Sequence, residues 1–191
     1  SDMEEVAPQV LGRLEELGPA VSLDLNLSVE AYFDTLTALI DRFCNKKQLT
    51  CIYISVTVPA STIKAALGSL EIATDRLRFV DCISFATMEC APSDDAQTVF
   101  VESPAMLEYI VLKVEYLFRK GKGERFMVIL DSVNSLAAHN EVRMLYEFMQ
   151  VLMASVKSRG AYPVLLSIGE QMKPEVHEML QLVCDQIITL K

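Results

Sequence analysis

Apolar residues along this chain follow two alternating periodicities. Strand patterns, either alternating apolar and polar or continuously apolar and rich in β-branched residues, are separated by segments with apolar residues at helical spacing. The strand patterns lie at 21–27, 51–56, 77–81, 98–101, 126–131, 162–168 and 186–190. The helical patterns lie at 3–17, 29–43, 61–70, 104–120, 141–159 and 174–183. This order predicts an α/β fold, a three-layer α/β/α sandwich with a mostly parallel central sheet.

Capping and turn residues mark several boundaries of these elements. Ser28 is expected to cap the second helix, and Ser103-Pro104 to open the helix at 104–120, with serine at the cap and proline at its first position. The stretch from Ser84 to Gln97 is the least regular, with a turn expected at Pro92-Ser93-Asp94-Asp95. Gly160 is expected to end the long helix before it.

The length of 191 residues predicts a single domain, with an N-terminal helix and linker at 1–19 and a core at 20–191. A domain of this size buries roughly 70% of its unfolded surface and needs no disulfide or metal for stability. The five cysteines (Cys44, Cys51, Cys82, Cys90 and Cys184) form no CxxC pair, so buried thiols in a reducing cytosol are expected. The two histidines, His139 and His177, lack zinc-binding spacing, and no metal site is predicted.

Charge and hydropathy narrow the classes of partner. The formal net charge is −9, which argues against nucleic-acid binding because that requires a basic surface. No apolar run approaches the roughly 20 residues of a membrane span, and the acidic N-terminus lacks a secretory signal pattern. A cytoplasmic protein with neither nucleic-acid nor membrane partners is therefore expected.

Ligands of open parallel sheets bind at the carboxyl ends of the strands, so the residues that end each strand are the candidates for chemistry. The run 126–131 is continuously apolar and ends in Asp131, followed by Ser132. An acid after such a run matches the Walker B pattern of nucleoside triphosphatases, where it holds magnesium. An aspartate in this position also commonly caps the next turn, and that interpretation stays open.

Four segments in order resemble the RecA-like ATPases of the KaiC family, over roughly residues 20–191. The segment RFMVILDSVNSL (125–136) is similar to that family's Walker B strand, and VKSRGAYPVLLSIGE (156–170) to the helix and strand that follow it. The segments at 51–81 and 184–190 resemble its second strand, helix and third strand, and its closing strand. The resemblance implies a P-loop NTPase fold, an archaeal type of source, assembly into rings, and Asp131 and Ser132 as the nucleotide-binding residues.

The chain departs from the family at two places. The stretch from Leu25 to Leu36, where the family carries G-x-x-x-x-G-K-[ST], has no glycine and no lysine, and the family lysine falls near Phe33. Glu30 and Asp34 instead place negative charge where a polyphosphate would lie. Thr57-Val58 stands where the family has an acidic pair that activates water, and neither residue is a base. Gly121-Lys122-Gly123 precedes a strand, whereas a phosphate-binding loop follows one, so it is interpreted as a helix end.

Three hypotheses follow. The first is a pseudo-ATPase with no catalytic residues and no cofactor, which interacts with a protein partner or with itself through the apolar faces at 104–120 and 142–156. The alternative is a KaiC-like protein that binds ATP and magnesium weakly through Asp131. The third is an unrelated α/β enzyme, for which Cys82 and Ser132 lie at strand ends but have no adjacent activating base, and no G-x-S-x-G or G-x-G-x-x-G is present.

Overall fold

Within the part of the chain that the structure describes, seven strands form one sheet in which all neighbouring strands run parallel. The structure is a computed structural model that describes residues 2–87 and 93–190, with the side chains of the first helix from Val6 onward. The strands are β1 (Leu23–Leu27), β2 (Thr50–Ser55), β3 (Leu77–Asp81), β4 (Thr98–Phe100), β5 (Phe126–Asp131), β6 (Tyr162–Ile168) and β7 (Gln186–Leu190). Their order across the sheet is β4-β3-β2-β5-β6-β1-β7, so β5 is the central strand.

Helices connect the strands and cover both faces of the sheet. They are α1 (Asp2–Leu17), α2 (Tyr32–Thr37), α3 (Ala60–Ser69), α4 (Ser84–Thr87), α5 (Leu107–Lys120), α6 (Val133–Ala137), α7 (Val142–Ser158) and α8 (Pro174–Val183). A π-helical segment, Ala38–Asn45, continues α2, and a short 3-10 turn, Gly169–Gln171, follows β6.

Two apolar cores, one on each face of the sheet, hold these layers together. One core joins the sheet to α1, α2, the π-helical segment and α3. The other joins it to α5, α6, α7 and α8. Because a parallel strand with helices on both sides is buried on both faces, its sequence is continuously apolar, as in 126–131. The expected three-layer α/β/α sandwich is confirmed.

The central strand confirms a specific expectation about Asp131. All six residues of β5 are buried, and Asp131 ends the strand at the middle of the carboxyl edge of the sheet.

The segment Gly121-Lys122-Gly123 ends α5 and precedes β5. Gly121 is the C-cap of the helix, and Gly123 turns the chain with a φ of 89°. The helix end predicted there is confirmed.

Two helix starts were predicted wrongly. The helix expected from Ser103-Pro104 begins at Leu107, because the carbonyl and hydroxyl oxygens of Ser103 accept the amides of Met106 and Ala105 and close a separate turn first. The helix expected over 29–43 begins at Tyr32 and becomes π-helical from Ala38.

Two members of the apolar stripe predicted for that second helix are also exposed. Val29 lies in the turn before α2 and Phe33 points partly to solvent, whereas the later members of the stripe are buried. The cap predicted at Ser28 was wrong: the N-cap of α2 is Ala31, without a side-chain hydrogen bond, and the Ser28 hydroxyl oxygen instead accepts the amide of Ala31 in the preceding turn.

The cysteines follow the expected pattern with one exception. Cys44, Cys51 and Cys82 are buried free thiols, whereas Cys184 is only partly buried because it lies between α8 and the edge strand β7. Cys90, and Pro92 of the predicted turn at 92–95, lie outside the described residues.

Candidate functional site

The candidate site lies at the carboxyl edge of the sheet, where β5 ends beside β2. Asp131 is fully buried and stands opposite Ser55 in the parallel register of these two strands. Ser132 follows as the N-cap of α6, and its hydroxyl oxygen accepts the amide of Ser135 at 3.3 Å. The structure therefore brings Asp131 and Ser132 to the position that the strand pattern predicted.

Three hydroxyl groups donate hydrogen bonds to the Asp131 carboxylate. The hydroxyls of Tyr32 and Tyr53 both donate to Oδ2. Thr57, just beyond the end of β2, donates from Oγ1 to Oδ1 at 3.3 Å. A carboxylate has about four acceptor positions, so most of the capacity of Asp131 is used by the chain itself.

Tyr32 is the contact that ties the first strand-helix connection to the central strand. It is the first residue of α2, and its half-buried ring reaches across to the end of β5. Tyr53 approaches the same oxygen from within β2, where its side chain is fully buried. A buried tyrosine normally finds a partner for its hydroxyl, and here two tyrosines share one acceptor.

Burial dominates the electrostatics of this cluster. It raises the pKa of Asp131 above its ordinary value, and the hydrogen bonds from Tyr32, Tyr53 and Thr57 offset this only in part. Burial also raises the pKa of Tyr32 and of Tyr53, and the negative charge of Asp131 raises both further. The two phenols therefore stay protonated and act as donors.

A second set of hydroxyls lies beside the carboxylate. Thr57 Oγ1 is 3.2 Å from Ser132 Oγ and 2.9 Å from Ser135 Oγ. Thr57, which occupies the place of the family's catalytic acids in the sequence, therefore lies beside Asp131. Because aliphatic hydroxyls are not bases near neutral pH, these groups supply hydrogen bonds and do not abstract protons.

The connection between β1 and α2 is short, and its hydrogen bonds are made within the connection. Four residues, Ser28 to Ala31, separate the last residue of β1 from the first residue of α2. The amide of Ala31 points back to the carbonyl and hydroxyl oxygens of Ser28, each at 3.2 Å. A phosphate-binding loop instead turns several amides outward around the anion, which requires glycines that this segment lacks.

A cleft of about 840 Å³ opens at the carboxyl ends of β1, β6 and β7. Three acids line it, Glu30 and Asp34 from the β1–α2 region and Glu170 from the 3-10 turn after β6. Val6, Leu27, Ala31 and Leu190 give it apolar walls. We call it the acidic cleft. Glu30 and Asp34 lie together there as the sequence suggested, whereas Asp131 does not line it.

Sequence reasoning missed three of the residues that define these sites. Tyr32 and Tyr53 count as apolar in a periodicity pattern and were assigned to the core, although each carries a hydroxyl that needs a partner once buried. Glu170 follows a strand end, so its position at the carboxyl edge was readable, but its convergence with Glu30 depends on β6 lying next to β1.

Two further features bear on ligands. In residues 2–87 and 93–190, no group of three or more histidine, cysteine, aspartate or glutamate side chains is placed to hold a metal ion. Over the same residues, no helix is both long enough and apolar enough to cross a bilayer.

Comparison with solved structures identifies the fold as that of RecA/KaiC-like proteins. A KaiC-like protein from Pyrococcus horikoshii superposes with a TM-score of 0.61 at 11% identity, over 90% of this chain and 71% of that one. The flagellar accessory protein FlaH from Methanocaldococcus jannaschii gives 0.59 at 10% identity, over 90% and 71%. An uncharacterized protein from P. horikoshii, solved in complex with an unknown peptide, gives 0.59 at 12% identity, over 88% and 76%.

These likenesses are structural and the sequences have diverged far. No protein-family model matches the sequence. No curated protein matches it either. The resemblance to the KaiC-like superfamily, drawn from segment order, is confirmed at the level of the fold, with archaeal proteins as its structural neighbours.

Proposed function

We propose that this chain is a pseudo-ATPase: a RecA/KaiC-like domain that has lost nucleotide chemistry and works as a protein-interaction module with a regulatory or signalling role. The observation that carries the proposal is the set of hydrogen bonds from Tyr32, Tyr53 and Thr57 to the Asp131 carboxylate. They occupy the acid that would hold magnesium in an active relative.

Magnesium chemistry explains why these contacts matter. The ion requires near-octahedral oxygen ligands at about 2.0–2.1 Å and is held in P-loop enzymes between a loop hydroxyl and the Walker B acid. Here the Tyr32 side chain comes from the element that would supply the loop hydroxyl, and its phenol lies directly on Asp131 Oδ2. A magnesium ion could bind Asp131 only if the Tyr32 side chain moved away and exposed the buried carboxylate.

The surroundings disfavour a polyphosphate in the same way. The β1–α2 connection has no glycine to turn its amides outward and no lysine to balance phosphate charge. Glu30 and Asp34 stand beside it, and each pair of like unit charges at ~4 Å costs about 4 kcal/mol at an effective dielectric of ~20.

Exposed apolar side chains on α5 and α7 support an interaction role. Tyr109, Leu112 and Tyr116 are exposed on one side of α5, and Met144 and Val151 on α7. Most other apolar residues of α7 are buried, so α5 is the stronger candidate for contact with a protein partner or a second copy. One structural neighbour was solved in complex with an unknown peptide, which is consistent with a role in binding protein segments. We place this function in the cytoplasm.

A thermal-shift titration with ATP and magnesium tests the proposal. We expect no change in melting temperature and no hydrolysis. If ATP bound with a dissociation constant near 10 µM, about 1 mM nucleotide would stabilise the fold by about 2.7 kcal/mol. For a domain of this size, that is roughly 5–10 °C.

Variants make the result specific. A shift of that size that disappears in Asp131→Asn, but persists in the exposed control Glu147→Gln, would overturn the proposal. It would favour the alternative, a nucleotide-binding protein that uses Asp131 and magnesium.

A further inference from the structure

The two edges of the sheet differ in how their outward backbone groups are hydrogen-bonded. At the β4 edge, residues of the preceding loop pair with these groups. On β4, the amides of Thr98 and Phe100 point away from β3. Asp95 Oδ1 accepts the Thr98 amide at 2.8 Å, and Asp94 Oδ1 accepts the Phe100 amide at 3.1 Å. The Asp95 amide donates to the Thr98 carbonyl at 3.0 Å. Among the described residues, the β4 edge therefore offers no free row of backbone groups.

The opposite edge, β7, is open over the described residues. The Gln186 amide donates to Ser22, and the Leu190 carbonyl accepts the Ser28 amide, each at 3.1 Å. Because alternate residues of a parallel strand face the same neighbour, Gln186, Ile188 and Leu190 bond β1, and Ile187 and Thr189 point their amides and carbonyls outward. In residues 2–87 and 93–190, these outward groups meet no backbone or side-chain partner.

The open edge leads into the acidic cleft. Thr189 and Leu190, at the end of β7, form one wall of it. Glu30, Asp34 and Glu170 stand around the same space, and no described lysine or arginine forms an ion pair with any of the three. An edge of unpaired backbone therefore ends in a space that has negative charge and apolar walls.

We propose that the β7 edge and the acidic cleft together bind an extended, basic segment of a protein partner. The segment adds an eighth strand beside β7, and its lysine or arginine side chains enter the acidic cleft. Main-chain hydrogen bonds supply affinity in such strand addition, and the adjoining space supplies specificity. The proposal rests on the pseudo-ATPase function and names the chemistry of its partner.

The chemistry of the cleft selects this occupant. Three carboxylates repel nucleotides, nucleic acids and acidic peptides, whereas they attract ammonium and guanidinium groups. The apolar walls suit the methylene stems of lysine and arginine, whose charged ends remain near the carboxylates. An exposed edge strand suits an extended backbone and not a helix.

A peptide titration tests this. The probe is a capped, fluorescent peptide of alternating threonine and valine with two arginines at each end, so that parallel and antiparallel addition both place arginine in the cleft. Two control peptides carry glutamate in place of arginine, or N-methyl groups on the alternate amides that would pair with β7. Fluorescence anisotropy with the full chain is expected to show saturable binding of the first peptide alone.

Variants separate the two halves of the site. Thr189→Pro removes the outward amide without touching a bond to β1, since proline is tolerated on the outer side of an edge strand. The triple variant Glu30→Gln, Asp34→Asn, Glu170→Gln removes the charges. We expect each to weaken binding about tenfold or more, whereas Glu147→Gln, which removes one exposed charge on α7, serves as a control that leaves binding unchanged.

Several outcomes would overturn the inference. Equal binding of the N-methylated peptide would exclude strand addition, and equal binding by the triple variant would exclude the cleft. A dimer dissolved by Thr189→Pro in sedimentation would assign the edge to a second copy instead. Adding ATP to the same samples distinguishes failure of this inference from failure of the proposed function. Binding of the nucleotide would contradict the pseudo-ATPase function, whereas failure of the peptide to bind would contradict only this inference.

Discussion

The fully buried Asp131 shows how hydrogen bonds from neutral side chains can keep a single carboxylate inside a protein. Removing a charge from water is costly unless hydrogen bonds replace the lost hydration. Two phenols and a threonine do so here, and all three are neutral, so the raised pKa of Asp131 reflects burial without a cationic partner. The same contacts that make Asp131 tolerable also make it inaccessible.

The Tyr32 hydroxyl should contribute measurably to stability. Tyr32→Phe removes one donor from a buried acceptor, which typically costs about 1–3 kcal/mol. Urea unfolding would measure it, with Tyr109→Phe as the control, because Tyr109 is exposed and a change there is expected to stay within about 0.5 kcal/mol. Equal stability of the two variants would contradict the importance of the Tyr32 contact.

The buried Asp24 on β1 makes a second residue-scale prediction, about pH. Ser167 Oγ lies 2.9 and 3.0 Å from its two oxygens, and burial raises the pKa of Asp24 from 3.8 to about 7. Below about pH 4 the carboxyl group is protonated in both states. Between pH 4 and 7 the unfolded chain releases a proton that the folded chain retains, so stability falls as pH rises, and above 7 it levels.

Asp24→Asn should remove this dependence. The free energy of unfolding of the wild type, relative to the variant, is expected to fall by up to about 4 kcal/mol between pH 4 and 7. Urea titrations across that range measure the difference, and the exposed Asp41→Asn serves as the control. Parallel pH profiles for wild type and Asp24→Asn would show that Asp24 does not titrate in this window.

The strand-end rule predicted one half of the site and missed the other for a physical reason. Asp131, Ser132 and Thr57 were identified because each directly follows an apolar strand. The contact of Asp131 with Tyr32 joins residues 99 positions apart in the chain, and its contact with Tyr53 joins residues 78 apart. Only the adjacency of β5 and β2, and the closeness of α2 to both, brings these phenols to Asp131.

At the scale of elements, the strands were more predictable than the helix starts. A buried parallel strand leaves a continuous apolar run, and every predicted run became a strand. A helix start depends on local competition for hydrogen bonds, so the Ser103 turn displaced the start of α5 by three residues. The order of the strands in the sheet could not be predicted from the sequence. The open edge at β7 and its position beside the acidic cleft therefore could not be predicted either.

The difference between the two sheet edges predicts amide exchange rates. The Thr98 and Phe100 amides, capped by Asp95 and Asp94, should exchange more slowly than those of Ile187 and Thr189, by about tenfold or more. Hydrogen exchange followed by NMR would resolve the four amides. Asp95→Ala should speed exchange at Thr98 and leave Thr189 unchanged. Strong protection at Thr189 in the free protein would contradict the open edge.

At the scale of the whole molecule, α1 bears on whether residues 1–191 form one domain. The segment 1–19 was interpreted as a helix and linker preceding a core, yet Val6, Val10 and Leu14 are buried in the same apolar cluster as the sheet. Burying such side chains is worth about 1.5–3 kcal/mol each. Their sum is comparable to a total stability of about 5–15 kcal/mol.

We therefore predict that α1 is required for folding and unfolds with the rest of the chain. Leu14→Ala should cost about 2–5 kcal/mol, because it leaves a cavity in the apolar cluster that α1 shares with the sheet. At about 2–4 °C per kcal/mol, the melting temperature should fall by roughly 5–20 °C, whereas the exposed Gln9→Ala should leave it nearly unchanged. Calorimetry of the wild type should show one transition whose calorimetric and van't Hoff enthalpies agree. A separate early transition, or an unchanged melting temperature in Leu14→Ala, would instead make α1 an appendage, and the cleft wall at Val6 would then not belong to the folded core.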